Sequence, residues 1–516
     1  MKKTLLQGLT LDLRSLALFR IAFGLCLFVD VFYRLFYIND FYSDFGVLPR
    51  AALLEHFLGP WEYSVFLIAG RPEIIFFLMA TTLVAIAMMT VGYRTRLATF
   101  VTWILVTSLQ TRTQIVLHGG DDLIRVLLFW CQFVPLGAEF SVDRAQSAET
   151  QRANQSVLSF GSAGLILQLL YVYLFTAALK FHPIWNVEGS AIYYALSLEQ
   201  FTDIPGQWLL NFPGFLKYLT FSTLLLEWAG PLLILVPGIQ RYVRIPIIFS
   251  FIAFHFGLFV TLHLGPFPWT CMAAWLMLLP PQFWEFAKRR SWERPLETFF
   301  AFISGYFKSL RLKSETVVVS FPKAAEITAA VFIILVFFWN VSHHESLHLK
   351  KSESLRIVMN LTKMYQKWNM FAPYPRRDDG WYIVEAKLFN GQSVNPMAEN
   401  FVYTEEKPKN VAATYINTMW RKYLSNTWLK TNHQYRIYFG RYLCRKWNQG
   451  KSKHDEKINT IKISYMLKMV PPPGVAPEPV KKDLLWRHHC FDKPPDWDAD
   501  RDGNKDANKD ANKADN

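Results

Sequence analysis

Nine runs of mainly apolar residues, most of them long enough for a helix to cross a bilayer, fill the chain before residue 345. A crossing helix needs roughly 20 such residues, because the hydrocarbon core is about 30 Å thick and each residue rises about 1.5 Å. The runs lie at about 15–37, 73–92, 96–115, 122–138, 158–181, 217–237, 244–264, 268–284 and 324–342. The second and the sixth to ninth are the clearest. The fourth, DLIRVLLFWCQFVPLG, is short and carries Arg125, and the third ends in the polar TSLQTRTQ. Charged residues make up only 19% of the chain, against about a quarter in soluble proteins.

The loops between the runs carry an asymmetric charge. With the N-terminus in the cytoplasm, the inner segments hold Lys2, Lys3, Arg14, Arg94, Arg96, Arg144, Arg152, Arg241 and Arg244. The last inner loop adds Lys288, Arg289, Arg290, Arg294, Lys308, Arg311, Lys313 and Lys323. The outer loops hold little beyond Arg50, Arg71 and Arg112. This is the positive-inside pattern. It accounts for the net charge of +14 as a set of topology signals, and a nucleic-acid stripe is not expected. The N-terminus lacks a small-residue cleavage site, so the first run reads as an uncleaved signal-anchor.

The expected architecture is an α-helical polytopic membrane domain of about nine spans plus a small extracytoplasmic α+β domain. Residues 1–14 are the cytoplasmic N-terminus, 15–284 hold eight spans, 285–322 form a basic cytoplasmic connector, and 323–342 are the ninth span. The connector reads equally as an amphipathic stretch on the inner membrane surface or as a solvated link. Residues 343–495 form the outer domain. Within it, WYIVEAKLFNGQSV alternates and turns at Asn390-Gly391 as a hairpin does, and INTIKISYMLKMV alternates as a strand. HQYRIYFGRYL is a strand candidate with helix as the alternative, and TYINTMWRKYLSN reads as a helix. Cys26, Cys131 and Cys271 sit in apolar runs as small hydrophobes. Cys444 and Cys490 pair if the domain faces an oxidising compartment. Residues 496–516 read as a disordered polar tail. Its Asp498, Asp500, Asp502 and Gly503 imitate a calcium loop, but Lys509 stands where the bidentate acid belongs. No metal is expected.

Ionisable residues within apolar spans are costly and often functional. In the stated topology Asp121, Asp122 and Arg125 enter from the outside, Lys180 and His182 end the fifth span on that side, and His255 lies roughly 14 Å below the outer end of the seventh. Lys180, with apolar residues on both sides, is a candidate general base. The alternative is a lysine that snorkels to the headgroups. His255 reads either as functional or as a hydrogen-bonded core histidine, and Asp121 and Asp122 either as functional or as caps of the fourth helix. Glu227, near mid-membrane, needs a partner, for which Arg20 and Arg34 are the candidates. No nucleophile elbow, P-loop, dinucleotide fingerprint or zinc-type motif is present.

LRSLALFRIAFG, FYSDFGVLPRAALL, GYRTRLATF, HGGDDLIRVLLFWCQFVPLGAEFSVD, LFTAALKFHPIWNVEGSAIYYAL and FHFGLFVTLHLGPFPW occur in this order. Together they resemble the HTTM (horizontally transferred transmembrane domain) family, whose membrane domain is shared with vitamin K-dependent gamma-carboxylase. QKWNMFAPYPRRDDGWYIVEAKLFNG resembles the outer domain of bacterial members. The resemblance implies a chemistry in which a lysine deprotonates reduced vitamin K or another quinol. Oxygen then yields an epoxide, and a glutamate side chain takes up carbon dioxide, a lyase reaction. Lys180 matches the second lysine of that family's pair, with Trp185 five residues on. Glu188-Gly189 match its acid-glycine step, and Phe254-His255 with Gly265 match its later motif. The implied roles are catalysis for Lys180 and His255 and substrate binding for Asp121, Asp122, Arg125 and Trp185, with Arg125 or His255 stabilising the anion.

The departures are Leu179 in place of the first lysine, Gly120-Asp121-Asp122 in place of an asparagine-histidine, and a much shorter outer region. Membrane lipid, entering sideways, and a protein substrate or partner outside are the expected partners. Two readings follow, a quinol-oxidising enzyme and a non-catalytic membrane protein whose outer domain binds a partner or lipid. Transport is weaker, since no internal repeat is visible.

Overall fold

A computed structural model describes residues 7–147, 155–310, 312–313, 320–344, 347 and 349–491. The tail expected at 496–516, with its calcium-like aspartates, lies outside these residues, as do Lys2, Lys3 and Arg152. The chain divides into two compact units. The first comprises Met1–Gly380, Asn410–Asn426 and Lys468–Pro479, and the second the rest.

In the first unit a short ladder of β1 (Leu11–Asp12) and β2 (Ser156–Val157) ties the start of the chain down. Asp12 caps α1 (Leu13–Leu35) by accepting from the Arg14 backbone N–H at 2.9 Å, which satisfies one of the open donors of the first turn. Next come α2 (Pro72–Val91), α3 (Thr95–Arg112), α4 (Gly119–Trp130), α5 (Phe160–Leu179), α6 (Pro213–Leu235) and α7 (Gln240–Thr261). They continue as α8 (Phe267–Leu276), α9 (Pro281–Arg289), α10 (Arg294–Ser309), α11 (Lys323–Val341) and α12 (Glu353–Leu361). The α2–α3 corner closes on Gly92 at φ +69°. Beyond it Asp143 accepts from the Thr95 N–H at 2.8 Å and the Thr95 hydroxyl at 2.5 Å.

Among the described residues, six helices are long and apolar enough to cross a membrane: α1, α2, α5, α6, α7 and α11. They expose large apolar side chains, such as Val29, Phe77 and Leu225, as lipid-facing helices do. The other three expected runs differ. α3 has span length but ends in Ser108, Gln110, Thr111 and Arg112, all buried. α4 has 12 residues, about 18 Å, and every residue from Leu123 to Trp130 is buried. The run at 268–284, expected as one clear span, is broken in two. α8 ends at Leu276, and α9 begins at Pro281, where a proline pair cannot continue the ladder.

The buried arginines act as struts. Arg20 donates to the Leu136 carbonyl at 2.6 Å and to the Phe140 carbonyl. Arg34 donates to Asp30 at 2.8 Å and Asp121 at 2.7 Å. Neither serves Glu227. Residues after α11 return into this unit. Gln366 and Gln168 join side-chain amides at 2.7 Å, while Trp130 donates to Gln168 and Trp368 to Gln366. α13 (Thr418–Trp428) matches the helix expected there, and its residues up to Asn426 belong to this unit.

The second unit is built on the sheet of β3 (Asp378–Leu388), β4 (Ser393–Val394), β5 (Ile458–Met469) and β6 (Lys481–His489), in the order β4-β3-β5-β6. The expected hairpin is β3–β4, turning through Gly391 at φ +87°. β6 was not expected. The strand candidate HQYRIYFGRYL is helical, in α14 (Arg436–Asn448). It buries Phe439, Tyr442 and Leu443, a spacing of three and four that only a helix places on one face. Gly440 lets α14 approach β6, since a Cβ there would lie 2.7 Å from the His488 ring. Cys444 and Cys490 form a disulfide that fastens α14 to the end of β6.

Candidate functional site

Lys180 ends α5, and its ammonium turns inward. Its Nζ lies 2.7 and 2.6 Å from the two carboxylate oxygens of Glu227 on α6. Lys180 is 3% exposed and Glu227 4%. The snorkelling alternative therefore falls, because the charge has gone to a carboxylate and not to the headgroups. A lysine and a glutamate buried together hold each other's charge, and removing either strands the other. The chain after Lys180 turns sharply, with Asn186 Nδ2 donating to the Lys180 carbonyl at 3.1 Å. The turn carries Trp185 back under the ammonium, 4.1 Å from ring centroid to Nζ. The indole is fixed by donating to the Phe371 carbonyl at 3.1 Å.

His255 sits on α7 with its Nε2 2.7 Å from the Tyr173 hydroxyl. That hydroxyl also accepts from Trp275 Nε1 at 2.8 Å, so its own proton is available for His255 Nε2. A hydroxyl oxygen can accept twice, so either member of the Tyr173–His255 pair can donate, and His255 Nδ1 is buried without a partner. Tyr173 and Lys180 stand seven residues apart on one face of α5.

These groups open on one cavity of about 490 Å³, walled mainly by apolar side chains, into which Lys180, Trp185, Glu227, His255, Phe371 and Lys422 all project. Size and lining are those of a small-molecule site. A second, wider cavity of about 820 Å³ is lined by Asp30, Arg34, His263 and Arg421, among others, and His118 borders both. Gly265, at φ +64°, passes so close that a Cβ would sit 3.2 Å from His118 Nε2.

Three of the sequence candidates, Lys180, Trp185 and His255, thus share the cavity. Asp121, Asp122 and Arg125 do not line it. Asp121 accepts from the His118 N–H at 3.0 Å, closing the cap of α4, and pairs with Arg34. Asp122 pairs with Arg125 at 2.7 Å. Arg125 donates to the carbonyls of Lys363 and Tyr365 at 2.8 and 2.7 Å and lies 3.9 Å over the Tyr365 ring. Its donors hold backbone rather than facing the cavity. Sequence reasoning missed Tyr173, Lys422 and the identity of Glu227's partner. The seven-residue spacing of Tyr173 and Lys180 was the one available signal.

Comparison with curated proteins finds no match, and comparison with solved structures finds none either. Residues 10–284 match the model of the HTTM domain. With more than half of its length inside that match, the chain belongs to the HTTM family.

Proposed function

We propose that this membrane protein is a bacterial-type relative of the gamma-carboxylase that binds a reduced quinone-like lipid in the cavity beside Lys180 and removes its hydroxyl proton. The observation that carries this reading is the buried Lys180–Glu227 pair opening on an apolar cavity. The residues present fit such a substrate. Trp185 and Phe371 offer ring faces, and Lys180, Glu227 and His255 gather the polar groups in an otherwise apolar wall.

Lys180 paired with Glu227 carries a proton and is not yet a base. In a water-poor cavity the ion pair loses much of its solvation advantage over the neutral pair. Glu227 then takes the ammonium proton, and the freed Lys180 lone pair accepts the proton of the hydroxyl held against it. His255 stands ready to hydrogen-bond the resulting negative charge. The bound quinol supplies the reducing electrons when oxygen reacts, giving the epoxide and water. Carbon dioxide uptake by a protein glutamate would be the carboxylase extension of the same chemistry.

The disulfide supports placing residues 343–495 outside the cytoplasm, since such bonds persist in oxidising compartments. The inner-loop charges support a cytoplasmic N-terminus. Purified protein given vitamin K hydroquinone and oxygen is expected to take up oxygen and form epoxide, and Lys180→Ala to abolish both. Equal rates in the two proteins would sink the proposal.

A second reading has its own observation. Both oxygens of Glu227 are engaged by the ammonium, which is also how a purely structural strut looks. On that reading the outer domain binds a partner or lipid. Lys180→Ala then leaves function in cells intact, while deletion of 343–495 removes it.

A further inference from the structure

The cavity has two unmet demands. Lys422 reaches it from α13. Among the described residues this lysine has no ion-pair or hydrogen-bond partner. The nearby acids make their contacts elsewhere, Asp122 with Arg125 and Asp121 with Arg34, which Asp30 shares. His255 Nδ1 is the other demand, a buried ring nitrogen without a partner, donor or acceptor according to its tautomer.

The charges of the wall can be summed residue by residue. Lys180 and Glu227 cancel. His255 has one ring nitrogen against the Tyr173 hydroxyl and the other buried without a partner, so no carboxylate holds a second proton on it. His118 carries at most one ring proton, because its Nδ1 accepts from the Gly120 N–H at 3.0 Å. Among the described residues of the lining, Lys422 is left as a cation with no directly paired acid; Asp121 and Asp122 attract it from outside the cavity without contact. An ammonium with no paired acid in a mainly apolar lining defines the complement. It is an acceptor head bearing a single negative charge, on an apolar body that fills the rest of the cavity.

We infer that Lys422 anchors the ligand of this cavity, and that the ligand is a monoanionic amphiphile, an apolar chain or ring ending in one carboxylate or ionised phenol. The inference rests on the preceding proposal only in taking this cavity as the binding site. It does not need quinol chemistry. If that chemistry holds, Lys422 is the cation that meets the negative oxygen left when Lys180 takes the proton. Arg125, one of the two sequence candidates for that role beside His255, is engaged elsewhere. Lys422 lies far outside the matched residues 10–284, so the anchor comes from the C-terminal part of the chain.

The test uses the full chain, immobilised in detergent at mildly alkaline pH, with radiolabelled oleate displaced by unlabelled oleate or by oleyl alcohol, its uncharged analogue. Wild type is expected to prefer oleate by about tenfold or more, the effect of one charge-assisted hydrogen bond. Lys422→Met should bring the two probes level, and Lys422→Arg should restore the preference, which a merely structural lysine would not show. Should Lys422→Met fail to fold, Lys422→Gln serves in its place. A wild type indifferent to charge, or a neutral variant that keeps the preference, overturns the anchor. Oxygen uptake with vitamin K hydroquinone reports separately on the enzyme reading. No uptake with the oleate preference intact retires the quinol and keeps the anchor, and the reverse result does the opposite.

Discussion

At the scale of the residue, Lys180 and Glu227 pose a problem of mutual dependence. Each charge is buried, and each is tolerated because the other is 2.6–2.7 Å away. Lys180→Met alone, or Glu227→Gln alone, should cost about 3–5 kcal/mol, since the survivor is left buried and unpaired or must change its protonation. The double variant should recover a large part of that loss. Thermal unfolding of the four proteins in detergent checks this, and single-variant losses that simply add would show that the pair is not coupled. The sequence made Lys180 and His255 visible because each is a polar group in or at the end of an apolar run, and Trp185 through the family resemblance. It also showed that Glu227 needed a partner. The candidates named for it, Arg20 and Arg34, were not the partner; finding Lys180 required the rotation of each helix about its axis, which runs of apolar residues do not specify. Lys422 was out of reach for another reason. It stands in a stretch that reads as ordinary soluble helix, and only the folded chain brings that helix to the cavity.

Elements were legible where hydrophobicity and length agreed. The six long helices coincide with apolar runs of about 20 residues because lipid-facing and core-facing sides are both apolar. α4, 12 residues long and buried from Leu123 to Trp130, was read as a span because burial inside protein and burial in lipid demand the same residues. α14 was left open between strand and helix because YRIYF satisfies a period of two as well as a turn. Asp379, within the first unit, makes a prediction at this scale. Asp379, at the start of β3, accepts from the Glu199 N–H at 2.7 Å and is buried. Burial pushes its carboxyl up to about 6, the neighbouring Glu199 adds to this, and the N–H donors of Glu199, Gly380 and Gln200 pull against it. The folded pKa therefore lies above the unfolded value of about 3.9. The protonated form is favoured by folding, so this contribution is complete below about pH 4 and is lost as pH rises through about 6. Its size is at most about 3 kcal/mol. The thermal midpoint should decline over that interval, and Asp379→Asn should remove this part of the slope. An unchanged slope in the variant would show that another group is responsible.

At the scale of the molecule, the family match ends at residue 284, but the packing does not. Arg125, inside the match, donates to carbonyls of Lys363 and Tyr365, and Gln168 bonds Gln366. Residues 10–284 produced alone would leave those donors facing nothing, at a cost of about 1–3 kcal/mol for each buried group stranded. We expect that fragment to be degraded or aggregated when expressed in membranes, and the full chain to be monodisperse by size exclusion. A well-behaved fragment would refute this. The returning segment at 363–373 also has a bearing on descent. If this domain has been passed between proteins as a cassette, the cassette that works is larger than the one its sequence signature marks. A chimera that trades 10–284 between relatives exchanges one half of a lock and leaves the other half behind. Grafts that carry the post-span segment and α13 along with the helices are the ones that should keep a closed cavity.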